Sequence, residues 1–268
     1  MKYQRELTAG VLIPVVLGIL VAGPAWAFTL LCAAAGGLAL WEFYGLLAGA
    51  GQRVPREVGA ALFLAALAAA QLGHLGALVA VGGAALVVLP ALVMFGKPPV
   101  ETLLASSSGA VFSTLYVSAG TAAVVGLRGS GWKAVLFLLL VVWAGDSAAY
   151  YSGRRFGRRR LAPVVSPKKS WEGFWGQIGA GVVVGAAAGA LLAGARGALL
   201  LSVAGALLSA IAVVGDLVES TFKRSLAVKD SGGLLPGHGG LLDRLDSLLY
   251  AAPFLLAFVL SPPGALLR

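Results

Sequence analysis

Nine apolar runs follow one another along the chain, near residues 8–22, 25–47, 57–72, 74–94, 103–126, 132–152, 174–194, 197–217 and 243–260, separated by short segments that hold charge, proline or glycine. Many approach the roughly 20 residues a helix needs to cross a bilayer. Hydrocarbon offers no water to backbone N–H and C=O groups, so such runs fold as helices whose hydrogen bonds close within the segment. The pattern predicts an all-α fold, a polytopic transmembrane helical bundle of about nine spans. Hydrophobic residues make up 59% of the chain and charged residues 12%, about half the charged share of an ordinary soluble domain. The single cysteine, Cys32, stands in an apolar run, which excludes an intrachain disulfide and a thiolate metal site.

Cations orient the bundle. With the N-terminus in the cytoplasm, sixteen of the twenty Lys and Arg residues fall on the inner side, and only Arg128, Lys133, Arg196 and Arg268 on the outer. The net charge of +9 is carried by those inner loops, so nucleic acid is not expected as a partner. The basic tip, first apolar run and Ala25-Trp26-Ala27 imitate a cleaved leader, but apolar runs continue directly beyond, and the segment is expected to remain as the first span. Runs seven and eight are joined only by residues 194–196, which predicts a tight antiparallel hairpin; Gly181, Gly185 and Gly189 offer one face for close helix approach. The chain is read as a single integral domain, with N-terminal transmembrane helices over 1–130 and C-terminal helices with cytoplasmic loops, bearing the chemistry, over 131–268.

Polar residues are concentrated in two places. Residues 216–246 read DLVESTFKRSLAVKDSGGLLPGHGGLLDRLD and hold five of the chain's eleven acids, four of its twenty cations and one of its two histidines. A charge at the middle of a membrane helix costs roughly 2.5–3.5 kcal/mol, so this density calls for a charged ligand, and phosphates at the membrane surface suit it. Asp216, Ser220 and Lys223 are spaced to share a helix face, as are Asp243 and Asp246. Carboxylates converging from two helix ends suit a hard cation such as Mg²⁺. Acids near a helix N-terminus are also explained by the helix dipole alone, and for Asp243 and Asp246 both accounts stand. The glycines around Pro236-Gly237-His238-Gly239-Gly240 leave backbone N–H groups able to approach an anion, while no GxxxxGK[ST] nucleotide loop exists in the chain.

The second polar segment runs from Trp143 to Gly173. Asp146 lies inside an apolar run and should face a polar cavity or a basic partner. Seven cations follow; those from Arg154 to Arg160 serve equally well as an anchor to anionic head groups, whereas Ser166-Pro167-Lys168-Lys169-Ser170, a proline-fixed turn of hydroxyls and ammonium groups, is expected to contact phosphate. Glu42, near the cytoplasmic end of the second run, is read as a snorkelling or helix-pairing residue and not as a ligand.

Together, Ser220-Thr221-Phe222-Lys223-Arg224, Lys229-Asp230, Leu235 to Gly240 and Asp243-Arg244-Leu245-Asp246 resemble the signature of the phosphatidate cytidylyltransferases, also called CDP-diacylglycerol synthases. Gly145-Asp146-Ser147, Gly153-Arg154 and Ser166 to Gly173 resemble a second block of that family, so the likeness covers the C-terminal half; the first five runs match only in being hydrophobic. The resemblance implies transfer of CMP from CTP to phosphatidic acid, giving CDP-diacylglycerol and pyrophosphate. It also implies a Mg²⁺ requirement with K⁺ as the suggested second ion, and a homodimer in the cell (inner) membrane with its site open to the cytoplasm. It implies metal-binding roles for Asp216, Asp243 and Asp246 and catalytic roles for Ser220, Lys223 and Arg224, with Arg244 between the last two acids. Ser166, Lys168, Lys169, Lys229, His238, Gly239 and Gly240 are the expected substrate contacts.

Two rivals remain at this level. Another CTP-using membrane transferase, such as a polyprenol kinase, would carry similar acid and Lys/Arg loops. A transporter using Asp146 and Asp216 as ion sites is disfavoured because the polar groups crowd into one half of the chain rather than into paired halves.

Overall fold

The computed structural model describes residues 2–232 and 239–268. It is built from helices α1 (Lys2–Ala22), α2 (Ala25–Gly49), α3 (Arg56–Gln71), α4 (Leu75–Phe95), α5 (Val100–Ser130), α6 (Trp132–Phe156), α7 (Trp171–Ser225) and α8 (Leu242–Leu260), a closing 3₁₀ turn, and a small hairpin of β1 (Arg160–Ala162) and β2 (Ser166–Ser170). The fold is all-α and of membrane type: α2, α4, α5, α6 and α7 are long and apolar enough to cross a bilayer. Large apolar side chains such as Trp26, Leu75, Phe95 and Leu191 lie more than 60% exposed, as lipid-facing residues do.

The nine apolar runs become eight α-helices among the described residues, because runs seven and eight are the two arms of α7. The break falls at Ala193 and Gly194, the latter with φ +63°, ψ −149°, a conformation essentially reserved for glycine. Beyond the break the arms pack backbone to backbone. A Cβ on Gly181 would overlap the Gly205 carbonyl oxygen, one on Gly185 that of Leu201, and one on Gly189 that of Gly197. These pairs converge symmetrically on the turn, which is the signature of an antiparallel hairpin, and the glycine run is what permits it.

By its contacts the chain divides into two compact units. The first comprises the chain through Gly129 with Ser225–Leu245. Its core is built from Phe28, Leu40, Phe43, Leu47, Phe63, Leu67 and Leu89, all nearly inaccessible. Buried Tyr44 shares a hydrogen bond of 2.5 Å with Thr114, which satisfies a hydroxyl that would otherwise be costly to bury. The second unit comprises Ser130–Arg224 and Asp246–Arg268, around Phe137, Leu138, Val141, Leu201, Leu208, Ala212 and Leu255.

One local expectation changes. The segment Ser166–Ser170 is a strand rather than a turn: it pairs antiparallel with β1 through Arg160↔Ser170 and Ala162↔Ser166, with an irregularity between them. The turn itself is supplied by Pro163-Val164-Val165. Pairing the two segments satisfies backbone groups that a bare connection between membrane helices would leave open.

Candidate active site

In the second unit the sequence Ser170-Trp171-Glu172-Gly173 starts α7. Ser170 Oγ accepts the Gly173 N–H at 3.1 Å, a side-chain cap on the first turn. Glu172 accepts the Arg158 and Arg159 N–H groups at 3.1 and 3.3 Å, which pins the approach to β1 against the same helix start. Gly153, Gly157 and Gly173 surround the Ser170 hydroxyl so closely that a Cβ on any of them would come within 3.3 Å of it. The end of α6, the hairpin and the start of α7 are thereby locked together, and β2 delivers Lys169 Nζ to 2.6 Å from Asp216 Oδ2 on the far arm of α7.

Around Asp216 the acids converge. Asp216, Glu219 and Asp246 each offer a carboxylate oxygen, all within 4.8 Å of one another. Glu219 is 3% exposed and Asp246 8%, while Asp216 is half-buried. Gly215 makes the meeting possible, since a Cβ there would lie 2.5 Å from the Tyr250 Cβ and 3.2 Å from the Asp246 carbonyl oxygen, holding α8 off α7. Ser220 donates to Asp216 Oδ1 at 3.3 Å, and Lys223 Nζ meets Glu219 Oε2 at 2.6 Å. Asp146, on α6, accepts the Gln177 side-chain N–H at 3.3 Å. A cavity of about 510 Å³ opens beside this group, lined by Asp146, Tyr150, Arg154, Arg160, Lys168, Lys169, Gln177 and Asp216 among others.

Three carboxylates so close repel one another strongly unless cations intervene. Oxygen donors of a Mg²⁺ ion stand at most about 4.2 Å apart, twice its ligand distance. Carboxylate oxygens already within 4.8 Å need only small side-chain rotations to meet that, so the donor set fits a hard divalent cation. On the cavity wall the charge reverses: Arg154, Arg160, Lys168 and Lys169 suit anionic oxygens.

Of the residues expected from the sequence, Asp216, Asp246, Ser220, Lys223 and Lys169 are brought together in the second unit. Lys168 lines the cavity, Ser166 sits half-buried on β2, and exposed Arg224 donates through Nε to the Val165 carbonyl at 3.3 Å. Asp243, Lys229, Gly239, Gly240 and Arg244 belong to the first unit. There Asp243 Oδ2 accepts the N–H groups of Ser231 at 3.1 Å and Gly240 at 3.0 Å, Gly239 has φ +78°, and Lys229 and Arg244 are exposed. His238 lies outside the described residues. Sequence reading passed over Glu219, although its place three residues after Asp216 put it on the same helical face. It also passed over Gln177 as the partner of Asp146, a contact that no spacing signals.

Apolar helices long enough to cross a bilayer thus carry a carboxylate cluster beside a cavity wall of lysine and arginine. The family model described as the cytidylyltransferase family matches residues 3–261, and the chain belongs to that family. It is 37% identical over 273 residues to the phosphatidate cytidylyltransferase of Pseudomonas aeruginosa, covering 97% of each chain. Over 128 residues it is 45% identical to the Haemophilus influenzae protein of that name, covering 46% of this chain and 44% of the relative. Over 145 residues it is 39% identical to the Staphylococcus epidermidis one, covering 54% and 56%. The chain thus spans about half the length of these last two relatives and nearly all of the Pseudomonas protein.

Proposed function

We propose that this protein transfers CMP from CTP to phosphatidic acid, producing CDP-diacylglycerol and pyrophosphate. An oxygen of the lipid phosphate forms the new bond to the α-phosphorus of CTP. The bond from that phosphorus to the α–β bridging oxygen breaks, and its electron pair leaves on pyrophosphate. The observation that carries the reading is the meeting of Asp216, Glu219 and Asp246 beside a cavity walled by lysine and arginine, in a chain of the cytidylyltransferase family.

The reaction brings one anion against another, so the protein's task is charge neutralisation and in-line placement. Asp216, Glu219 and Asp246 are the residues that would hold Mg²⁺, which when bound supplies positive charge to phosphate oxygens. Lys168, Lys169 and Arg154 on the cavity wall bind phosphates, and Lys223 beside the acids takes up charge as pyrophosphate departs. Ser220 orients Asp216 by its hydrogen bond. A general base is not needed, since a phosphate monoester is already ionised at neutral pH. Asp243, three residues before Asp246 on α8, accepts the N–H groups of Ser231 and Gly240 through Oδ2. The site faces the cytoplasm of a cell membrane, in accord with the sixteen basic residues assigned to that side, and the working enzyme is a homodimer, a reading supported by the family resemblance alone.

The test uses the purified full chain in detergent with phosphatidic acid, Mg²⁺ and CTP labelled at the α-phosphate. Label in the lipid, with one pyrophosphate released per lipid formed, is the expected result. In a parallel reaction with CTP labelled at the γ-phosphate, label in the lipid would instead make the protein a kinase.

A further inference from the structure

Glu42 is the one charged residue of α2. Snorkelling or helix pairing is the expectation for it, and its carboxylate meets backbone and hydroxyl far along the chain. Oε2 accepts the N–H of Leu242 at 2.9 Å and the hydroxyl of Ser231 at 3.3 Å. Asp243 reaches the same two places, accepting the N–H groups of Ser231 and Gly240 at 3.1 and 3.0 Å. Two carboxylates, one from α2 and one from α8, thus draw Ser231 and the stretch Gly240–Leu242 into a closed neck.

The neck is built to admit Glu42. A Cβ on Gly240 would overlap Ser231 Oγ and stand 2.6 Å from Glu42 Oε2; one on Gly232 would stand 2.7 Å from Glu42 Oε1. The Leu242 N–H belongs to the first turn of α8, where backbone donors have no partner inside the helix and the dipole favours negative charge. An apolar residue in its place would leave this donor and the Ser231 hydroxyl without their acceptor.

We propose that Glu42 is a positioning residue for the transfer reaction: it closes the neck between Ser231 and Leu242 and so fixes the start of α8, the helix that carries Asp246 one turn further on. This rests on the cytidylyl-transfer reading for its kinetic consequence, but not for its structural one.

The experiment compares wild type, Glu42→Leu, Glu42→Gln and Ser231→Ala as full chains in detergent, by amide hydrogen exchange and by pyrophosphate release. In Glu42→Leu, exchange in peptides spanning residues 231 and 240–242 should speed up about tenfold and kcat fall about tenfold, the scale of losing one to two hydrogen bonds. Glu42→Gln keeps an acceptor oxygen in place and should recover both to within about threefold. If Glu42→Leu fails to fold, Ser231→Ala decides, with faster exchange at 240–242 and a reduced kcat expected. Wild-type exchange and wild-type kcat in Ser231→Ala or in Glu42→Leu, or no recovery in Glu42→Gln, would overturn the proposal. A wild-type protein that released no pyrophosphate would defeat the reaction assignment, while the exchange comparison would still decide the neck.

Discussion

At the scale of single residues, the proposed chemistry turns on Asp246 and Glu219, both buried and both with a carboxylate oxygen near Asp216. Asp246→Asn preserves shape and removes charge; turnover should fall by about two orders of magnitude, the usual loss when one preorganised electrostatic group is removed. Steady-state kinetics across a Mg²⁺ titration checks this, and wild-type turnover with wild-type Mg²⁺ dependence would remove Asp246 from the site. Glu219→Gln takes from Lys223 the carboxylate it meets at 2.6 Å. Breaking a buried pair of this kind costs about 3–5 kcal/mol, so the variant should unfold at a markedly lower temperature in detergent. Spacing alone made Asp216, Ser220 and Lys223 legible as one helical face. Glu219 carried the same spacing signal, three residues after Asp216 and four before Lys223. Its 3% exposure, which only packing reveals, is what moves it into the site.

At the scale of elements, the arms of α7 depend on glycine where their backbones touch. Gly189→Val would drive a side chain into the Gly197 carbonyl, and because backbone cannot swing aside the cost should reach about 1–3 kcal/mol or more. Gly179, on the same helix, has nothing within 4 Å of where a Cβ would stand. Gly179→Ala should therefore be neutral or raise stability by about 0.5–1 kcal/mol, since alanine loses less backbone freedom in a helix. Thermal unfolding of the two variants side by side tests the close-packed hairpin, and equal midpoints would contradict it. The hairpin was readable because a three-residue connection and a four-residue glycine period are both local. The β1–β2 pairing was not, because a ladder is decided by which two stretches meet, and Ser166–Ser170 bears no alternation that would mark it as a strand.

At the scale of the whole molecule, the charge asymmetry predicts that the α7 turn lies outside and the loop after α7 inside. With Cys32 first replaced by alanine, Arg196→Cys should react with a membrane-impermeant maleimide in intact cells, and Lys229→Cys only in inverted vesicles. The reverse pattern would invert the topology. Sequence alone determined the membrane class, the helices and the family, because hydropathy, glycine spacing and a contiguous signature are properties of the chain read in order. Tertiary structure alone decided that Lys169 pairs with Asp216, that Glu219 joins Asp216 and Asp246, and that Glu42 reaches across to Ser231 and Leu242. The physical reason is the same in each case. The energy of a carboxylate taken out of water depends on which groups packing brings to it, and Lys169, Asp246, Ser231 and Leu242 each lie tens to hundreds of positions from the acid they meet.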